Sequence, residues 1–342
     1  MNKRISLKDI AQKVGVSTAL VSYVLNNKKL DRISKDVAQK IKETALELNY
    51  TINHIARSLK TRKTFTIGLI VADISNCFSS TLARIIEDEA ENNNYTVLFG
   101  SSDENPSKSL KLMTLLLNHQ VDGLIIAPSE NSISQIQLLQ EKQIPFVLVD
   151  RYFPQLKTNY IAINNYGAAY AITKHLVDMG YKRIGLITYQ SELFNLQERK
   201  RGYLAALSEH LLPINNAYLK EIKNENTKEE VVMAIKELLT QGEPADSLLF
   251  ASNTLSTFGL MYLNTLPLKV PDDIGVASFD ESNAAQLFYA PLTYIKQPLI
   301  DMGKLATKIL LESIDDTNKI TQVNLESELI IGKSTAKKEL TS

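Results

Sequence analysis

Between residues 66 and 278, short apolar runs alternate with longer stretches of helical period. This alternation restricts the fold more than any other feature of the chain. Runs at 66–72, 96–100, 123–127 and 146–149 are brief and rich in Val, Ile and Leu, so they read as strands. The stretches between them, 79–94, 107–119 and 132–142, carry apolar residues at helical spacing. A second set follows, with strands at 183–188, 247–251 and 274–278 and helices near 166–179, 196–210, 228–240 and 255–263. Strands joined through helices run parallel, and a parallel sheet needs cover on both faces. Two such sets predict two α/β lobes.

The first 64 residues differ in kind. They hold 14 Lys and Arg against 5 Asp and Glu, a net of +9. The whole chain of 342 residues has 38 of each, so the remainder holds 24 against 33, a net of −9. A basic head on an acidic body predicts a polyanionic partner for the head alone. Cys77 is the single cysteine, which excludes a disulfide framework and a Cys-based zinc site and fits a reducing compartment. Residues 1–4 read Met-Asn-Lys-Arg and no apolar run follows them, so neither a secretory signal nor a membrane span is expected.

Within the head, Ser6 and Asp9 have the spacing of a capping box for a helix carrying Leu7, Ile10, Ala11 and Val14. Gly15 stops that helix where a positive φ is needed. Ser17 caps a second helix with Val21, Val24 and Leu25 inward, and small Ala11 lets the two cross closely. This is a helix-turn-helix with 17–26 as its recognition helix. A third helix follows Ser34 and buries Val37, Ile41, Ala45 and Leu48. Next come Asn53 to Lys60, where Ile55, Ala56 and Leu59 share one helical side. Two turns of helix cannot persist alone in water, so this segment should be helical only against a partner.

The stretches Leu7-Lys-Asp-Ile-Ala-Gln-Lys-Val-Gly-Val-Ser, Val21-Ser-Tyr-Val-Leu-Asn and Asn53-His-Ile-Ala-Arg-Ser-Leu resemble the lactose-repressor (LacI/GalR) family. So do Ile67-Gly-Leu-Ile-Val-Ala-Asp-Ile-Ser-Asn, Val121-Asp-Gly-Leu-Ile, Val149-Asp-Arg and Gly275-Val-Ala-Ser-Phe-Asp, which extends the resemblance over nearly the full chain. It implies a small all-α helix-turn-helix head (1–50), a hinge helix and linker (51–64), and a two-lobed, periplasmic-binding-protein-like α/β body with two parallel sheets (65–342). The family interleaves its lobes, so lobe 1 is expected at about 65–162 and 292–322, and lobe 2 at about 163–291 and 323–340. By position, Thr18, Ala19 and Tyr23 match base-reading residues of the recognition helix. Tyr23 stands where arginine is common, which removes a bidentate guanine contact. Ser17, Ser22 and Asn26 match register-fixing contacts. In the hinge, Asn53 and Arg57 belong to the DNA-facing set. Leu59 matches a leucine that wedges open a minor-groove base step.

Ligands of parallel sheets bind beyond the carboxyl ends of the strands. Asp73, Asn76 and Phe78 follow the first strand, Ser101 to Glu104 the second, Asp150 and Arg151 the fourth, and Asn253 and Asp280 end strands of the second lobe. Arg199 matches an effector-site arginine of the family. Donors and acceptors together suit sugar hydroxyls. Phe78, Tyr152, Phe153, Phe194 or Phe288 offers an apolar face, while Ser79 stands where the family has a second aromatic.

Phosphate-cradling GxGxxG and GxxxxGK[ST] loops are absent, as are HExxH and GxSxG, so no enzyme, cofactor or metal is expected. The expectation is a cytoplasmic, dimeric repressor that binds a double-stranded DNA operator under control of a small polar effector. The alternative is a sugar-binding protein of the same two-lobed fold without a DNA role. The tail beyond Ile331 is short and lacks heptads, which argues against tetramers.

Overall fold

The computed structural model describes residues 5–25, 29–50, 63–316 and 318–335. Two compact units result, Met1–Thr64 and Phe65–Ser342.

In the first unit, α1 (Leu7–Val14) begins at a complete capping box: the Ser6 side chain accepts from the Asp9 amide, and Asp9 accepts from the Ser6 amide. It ends at Gly15, left-handed at φ 81°. The Ser17 hydroxyl accepts from the Leu20 amide at 3.2 Å and starts α2 (Thr18–Leu25). Ser34 does the same for α3 (Lys35–Glu47) through Val37. Ile10, Ala11, Val21, Val24, Ile41 and Ala45 form the buried centre where the three helices meet. Lys13 and Glu47 join α1 to α3 at 2.8 Å on the surface, an exposed and solvent-screened pair that adds little beside that apolar contact.

The second unit holds two sheets. Sheet 1 contains β1 (Thr66–Val71), β2 (Thr96–Ser101), β3 (Gly123–Ile126), β4 (Phe146–Val149), β5 (Tyr160–Ile163) and β11 (Gln322–Leu325), in the order β11-β5-β4-β3-β1-β2. Sheet 2 contains β6 (Ile184–Tyr189), β7 (Leu219–Ile222), β8 (Ser247–Phe250), β9 (Gly275–Phe279), β10 (Thr293–Lys296) and β12 (Glu328–Ile330), in the order β12-β10-β9-β8-β6-β7. Every pairing is parallel except β10 with β12. The central strands are buried along their length, as burial on both faces requires.

The helices of the first lobe are α4 (Cys77–Asn92), α5 (Pro106–Asn118) and α6 (Ile133–Glu141). Those of the second are α7 (Asn165–Asp178), α8 (Phe194–Glu209), α9 (Thr227–Thr240), α10 (Asn253–Leu263) and the short α11 (Asn283–Leu287). The last helix, α12 (Leu299–Asp315), returns to the first lobe and packs on α4 and on β3 to β5.

The interleaving is offset from the sequence expectation at both late boundaries. Residues 293–296, expected in the first lobe, are β10 and pair with β9, so the chain crosses only after Gln297. Residues 323–325, expected in the second lobe, belong to β11, which extends sheet 1 in register with β5 from Gln322↔Tyr160 to Leu325↔Ile163. Alternation of apolar residues marks a strand but not which open sheet edge receives it. No helix among the described residues is long and apolar enough to cross a membrane.

Candidate functional site

The carboxyl ends of both sheets face a common cleft of about 420 Å³. Asp73, Phe78, Asp150, Arg151, Arg199, Asn253 and Asp280 all line it. Asp150 follows β4, Asp280 follows β9, and both are left-handed, at φ 67° and φ 71°. Aspartate tolerates that region better than most residues. Each amide bonds back to the neighbouring strand, Asp150 to the Ile161 carbonyl at 2.8 Å and Asp280 to the Ile295 carbonyl at 3.0 Å. The chain thus bends out of the sheet while its carboxylate stays at the cleft floor.

The two guanidinium groups are held differently. Arg151 donates to both Glu104 oxygens, at 2.6 and 2.7 Å, a forked pair that fixes its plane. Burial opposes the Arg151 charge, but Glu104 more than restores it, and the net pKa direction is upward. Arg199 is fully buried in helix α8, where Nε donates to Asn165 Oδ1 at 2.8 Å and Nη1 to the Ala251 carbonyl at 2.6 Å. Its guanidinium lies 4.1 Å from the Phe279 ring centre. Asp280 is 4.0 Å from Nη1 and accepts from Gln297 Nε2 at 2.6 Å. Burial raises the Asp150 carboxyl, and Arg151 and Arg199 only partly counter it.

Contacts also span the cleft. Asn76, the N-cap of α4, and Asn253, the first residue of α10, exchange amide hydrogen bonds at 3.0 and 2.9 Å. Asn76 Nδ2 reaches Thr254 Oγ1 at 3.1 Å as well. Glu130 of the first lobe accepts from the Ser191 hydroxyl and the Glu192 amide of the second, at 3.1 and 2.7 Å. Asn253 therefore lines the cleft with its amide already engaged by the opposite lobe.

Of the five aromatics considered from sequence, only Phe78 borders this cleft. Tyr152 stacks flat on Tyr160 at 3.9 Å and meets Phe194 edge-on at 5.2 Å, beside a second hollow near the crossovers. Phe153 packs on the first-lobe core and Phe288 is buried in the second. Tyr189, Asn195 and Gln297 line the cleft and escaped the sequence reading. Tyr189 closes β6 one residue beyond the expected strand. Gln297 follows β10, within the range 292–322 expected from sequence in the first lobe.

In the head, Thr18 and Ala19 are exposed on the first turn of α2 and Tyr23 follows at 37% exposure, with Lys29 Nζ 5.1 Å from its ring centre. Ser22 is half-buried, and the Ser17 hydroxyl serves as the helix cap. Asn26, Asn53, Arg57 and Leu59 lie outside the described residues.

Residues 6–53 match the family model described as bacterial regulatory proteins, lacI family. Residues 64–333 match that of periplasmic binding proteins and the sugar binding domain of the LacI family. The chain belongs to the LacI family. It is 31% identical over 313 residues to a probable HTH-type transcriptional regulator, EndR, of Paenibacillus polymyxa, which covers 91% of each chain. It is 30% identical over 314 residues to the ribose operon repressor of Haemophilus influenzae, covering 92% of this chain and 93% of the relative. The lac repressor dimer, solved with operator and the anti-inducer ONPF, shares the fold at a TM-score of 0.83 and 21% identity, over 98% of this chain and all of that one. This LacI-family regulator therefore joins a DNA-binding helix-turn-helix to an effector-binding body.

Proposed function

We propose that this regulator is a homodimeric, cytoplasmic repressor that releases or takes up its operator when a small polar effector occupies the interlobe cleft. The observation that carries this is the pairing, in one chain, of an exposed α2 face on a +9 head with a polar cleft between two lobes. Thr18, Ala19 and Tyr23 are the base readers in this proposal, with Ser17, Ser22 and Asn26 fixing register and Asn53, Arg57 and Leu59 acting from the hinge. Asp73, Phe78, Asp150, Arg151, Arg199 and Asp280 surround the effector. A ligand that binds one lobe arrangement better than another shifts their balance, and that difference bounds its effect on operator affinity.

The dimer is supported by an unpaired sheet edge. Among the described residues β2 pairs on one side only, with β1, and it exposes Leu98 and Phe99, the latter to 62%. Such an edge invites covering by another chain. A cytoplasmic setting suits both the DNA partner and the lone exposed thiol of Cys77.

The test is operator binding. A near-palindromic duplex selected from a random library should bind as a dimer, and each neutralised phosphate should add about −0.9 to the slope of log K against log salt. A flat salt response, or equal affinity for an isolated half-site, would overturn the proposal.

A further inference from the structure

A second hollow, of about 320 Å³, lies where the chain passes between the lobes. Its walls come from both of them. Tyr152, Ile163 and Asn324 belong to the first lobe, and Tyr166, Phe194 and Glu198 to helices α7 and α8 of the second. Asn164 and Glu326 stand in connecting segments, after β5 and after β11.

The lining is aromatic and acidic at once. Tyr152 and Phe194 meet at 63° with ring centres 5.2 Å apart, which makes a corner of two half-buried rings, and Tyr166 supplies a third. Ring faces carry the negative side of the aromatic quadrupole and attract cations. Two carboxylates, Glu198 and Glu326, line the same hollow, and no Lys, Arg or His does among the described residues. This wall already holds one cation by the same two forces. Arg201 lies 4.6 Å from the Tyr166 ring centre while its guanidinium pairs with Glu198 at 2.7 Å. Glu198 is thereby matched, and Glu326 is not. Glu326 is exposed, accepts a long bond from Asn164 Nδ2 at 3.5 Å, and has no ion-pair partner among the described residues. One negative charge and the Tyr152–Phe194 corner remain for a single further cation.

The carboxamides narrow the kind of cation. Asn164 Oδ1 accepts from the Gly167 amide at 2.9 Å, and Asn165 Oδ1 from Arg199 Nε at 2.8 Å. Two of the three carboxamide oxygens in the lining are therefore taken. A primary ammonium is strongly hydrated, and few groups here replace its water. A quaternary ammonium has no N–H to satisfy and sets its methyl groups against ring faces.

We propose that this hollow is a second small-molecule site, separate from the interlobe cleft, and that it takes a small quaternary ammonium ion held between the Tyr152–Phe194 corner and Glu326. The site stands on its own geometry, whereas its regulatory use rests on the operator-binding function proposed above. Asn165 links the two sites, since it lines the hollow and fixes Arg199 of the cleft. An occupant that touches both lobes shifts their balance by what it gains in one arrangement over another, so hollow and cleft are coupled in both directions.

The experiment is titration calorimetry of the full-length protein with choline and with tetramethylammonium. Ethanolamine and dimethylbutanol, the uncharged carbon analogue of choline, are the comparison probes. At equal ionic strength at least one quaternary ion should bind, one per chain, and both comparison probes should bind at least about 10-fold more weakly. Phe194→Leu should weaken that binding about 2- to 30-fold, the range of one cation–π contact. Glu326→Gln changes an exposed side chain, so it serves as the second variant if Phe194→Leu folds poorly. It should weaken binding several-fold at low salt and less at high salt. No binding by either quaternary ion, equal binding of a comparison probe, or unchanged affinity in either folded variant would overturn the site. Operator binding is measured separately without cation. Its failure overturns the regulator function and leaves the site standing, whereas failed calorimetry overturns the site alone.

Discussion

Replacing Asn253 with alanine removes one half of the amide pair that joins the lobes. Four contacts go with it: the two reciprocal amide bonds with Asn76 at 2.9 and 3.0 Å, the 3.1 Å approach to the Cys77 sulfur, and a long bond accepted from Thr254 Oγ1 at 3.5 Å. Asn76 keeps Thr254 Oγ1 at 3.1 Å as an alternative acceptor, and its own Oδ1 still caps the Phe78 amide at 2.9 Å. Each net hydrogen bond is worth about 0.5–1.5 kcal/mol, so the pair should contribute about 1–2 kcal/mol once Thr254 compensates. That is roughly a 5- to 30-fold shift from closed toward open lobes.

A double-mutant cycle isolates the term. Asn76→Ser is the better partner variant, because serine can still cap α4 while being too short to reach Asn253. Urea unfolding of the wild type, both single variants and the double variant should yield a coupling of about 1–2 kcal/mol. Small-angle scattering of Asn253→Ala should show a more open body, and effector association should quicken. If the coupling stays within the roughly 0.5 kcal/mol expected of independent sites and the scattering is unchanged, the amide pair does not hold the cleft shut.

Arg199→Lys should lose the simultaneous contacts to Asn165 and Ala251, because an ammonium lacks the planar fork. Stability measured by denaturant should fall by roughly 1–3 kcal/mol, since the charge beside Asp280 is kept but the buried hydrogen bonds to Asn165 and Ala251 cannot both be made, and unchanged stability would refute that role. His175 is buried and bonded to Thr335 at 2.8 Å, and burial lowers its pKa below the ordinary imidazole value. The unfolded chain therefore takes up the proton first, so this contribution is complete above about pH 6.5 and is lost as pH falls toward the folded value. Melting temperatures across that window should drop less in His175→Gln, and parallel curves would exclude the effect. Leu59→Ala should reduce operator bending and specific affinity together while sparing non-specific binding, and normal bending by the variant would reduce the segment to a linker.

Much of this molecule was legible where function depends on local chemistry. Ser6, Asp9 and Gly15 act within one turn of each other, and caps of that kind are readable without tertiary structure. The cleft residues at strand ends were equally accessible, because a parallel sheet exposes ligands at one end only, so knowing the strands locates the site. What escaped were choices between equivalent edges. β10 and β11 each have a plausible length and pattern for either sheet, and their assignment depends on which edge is open when they arrive. Gln297 was missed for the same reason. Tyr152 was overvalued because a residue beside the strand end can also turn outward, where the Tyr160 ring offers a flat partner.

The two sheets share one strand order once the second is counted five strands later, with β11 and β12 at corresponding edges. Asp150 and Asp280 fall at equivalent places in that order, after β4 and β9, with the same left-handed turn. Equivalence explains why a carboxylate reaches the cleft floor from each lobe. The contacts that close the cleft break the equivalence: Asn76 follows β1, whereas Asn253 follows β8, the counterpart of β3. Patterns within a lobe cannot pair these residues, since they meet only when the lobes face each other at one particular angle. That dependence on angle is what makes them suited to switching. A bond made by helix N-termini on opposite walls is broken by a modest rotation, so a few kcal/mol of ligand binding suffices to decide whether it forms.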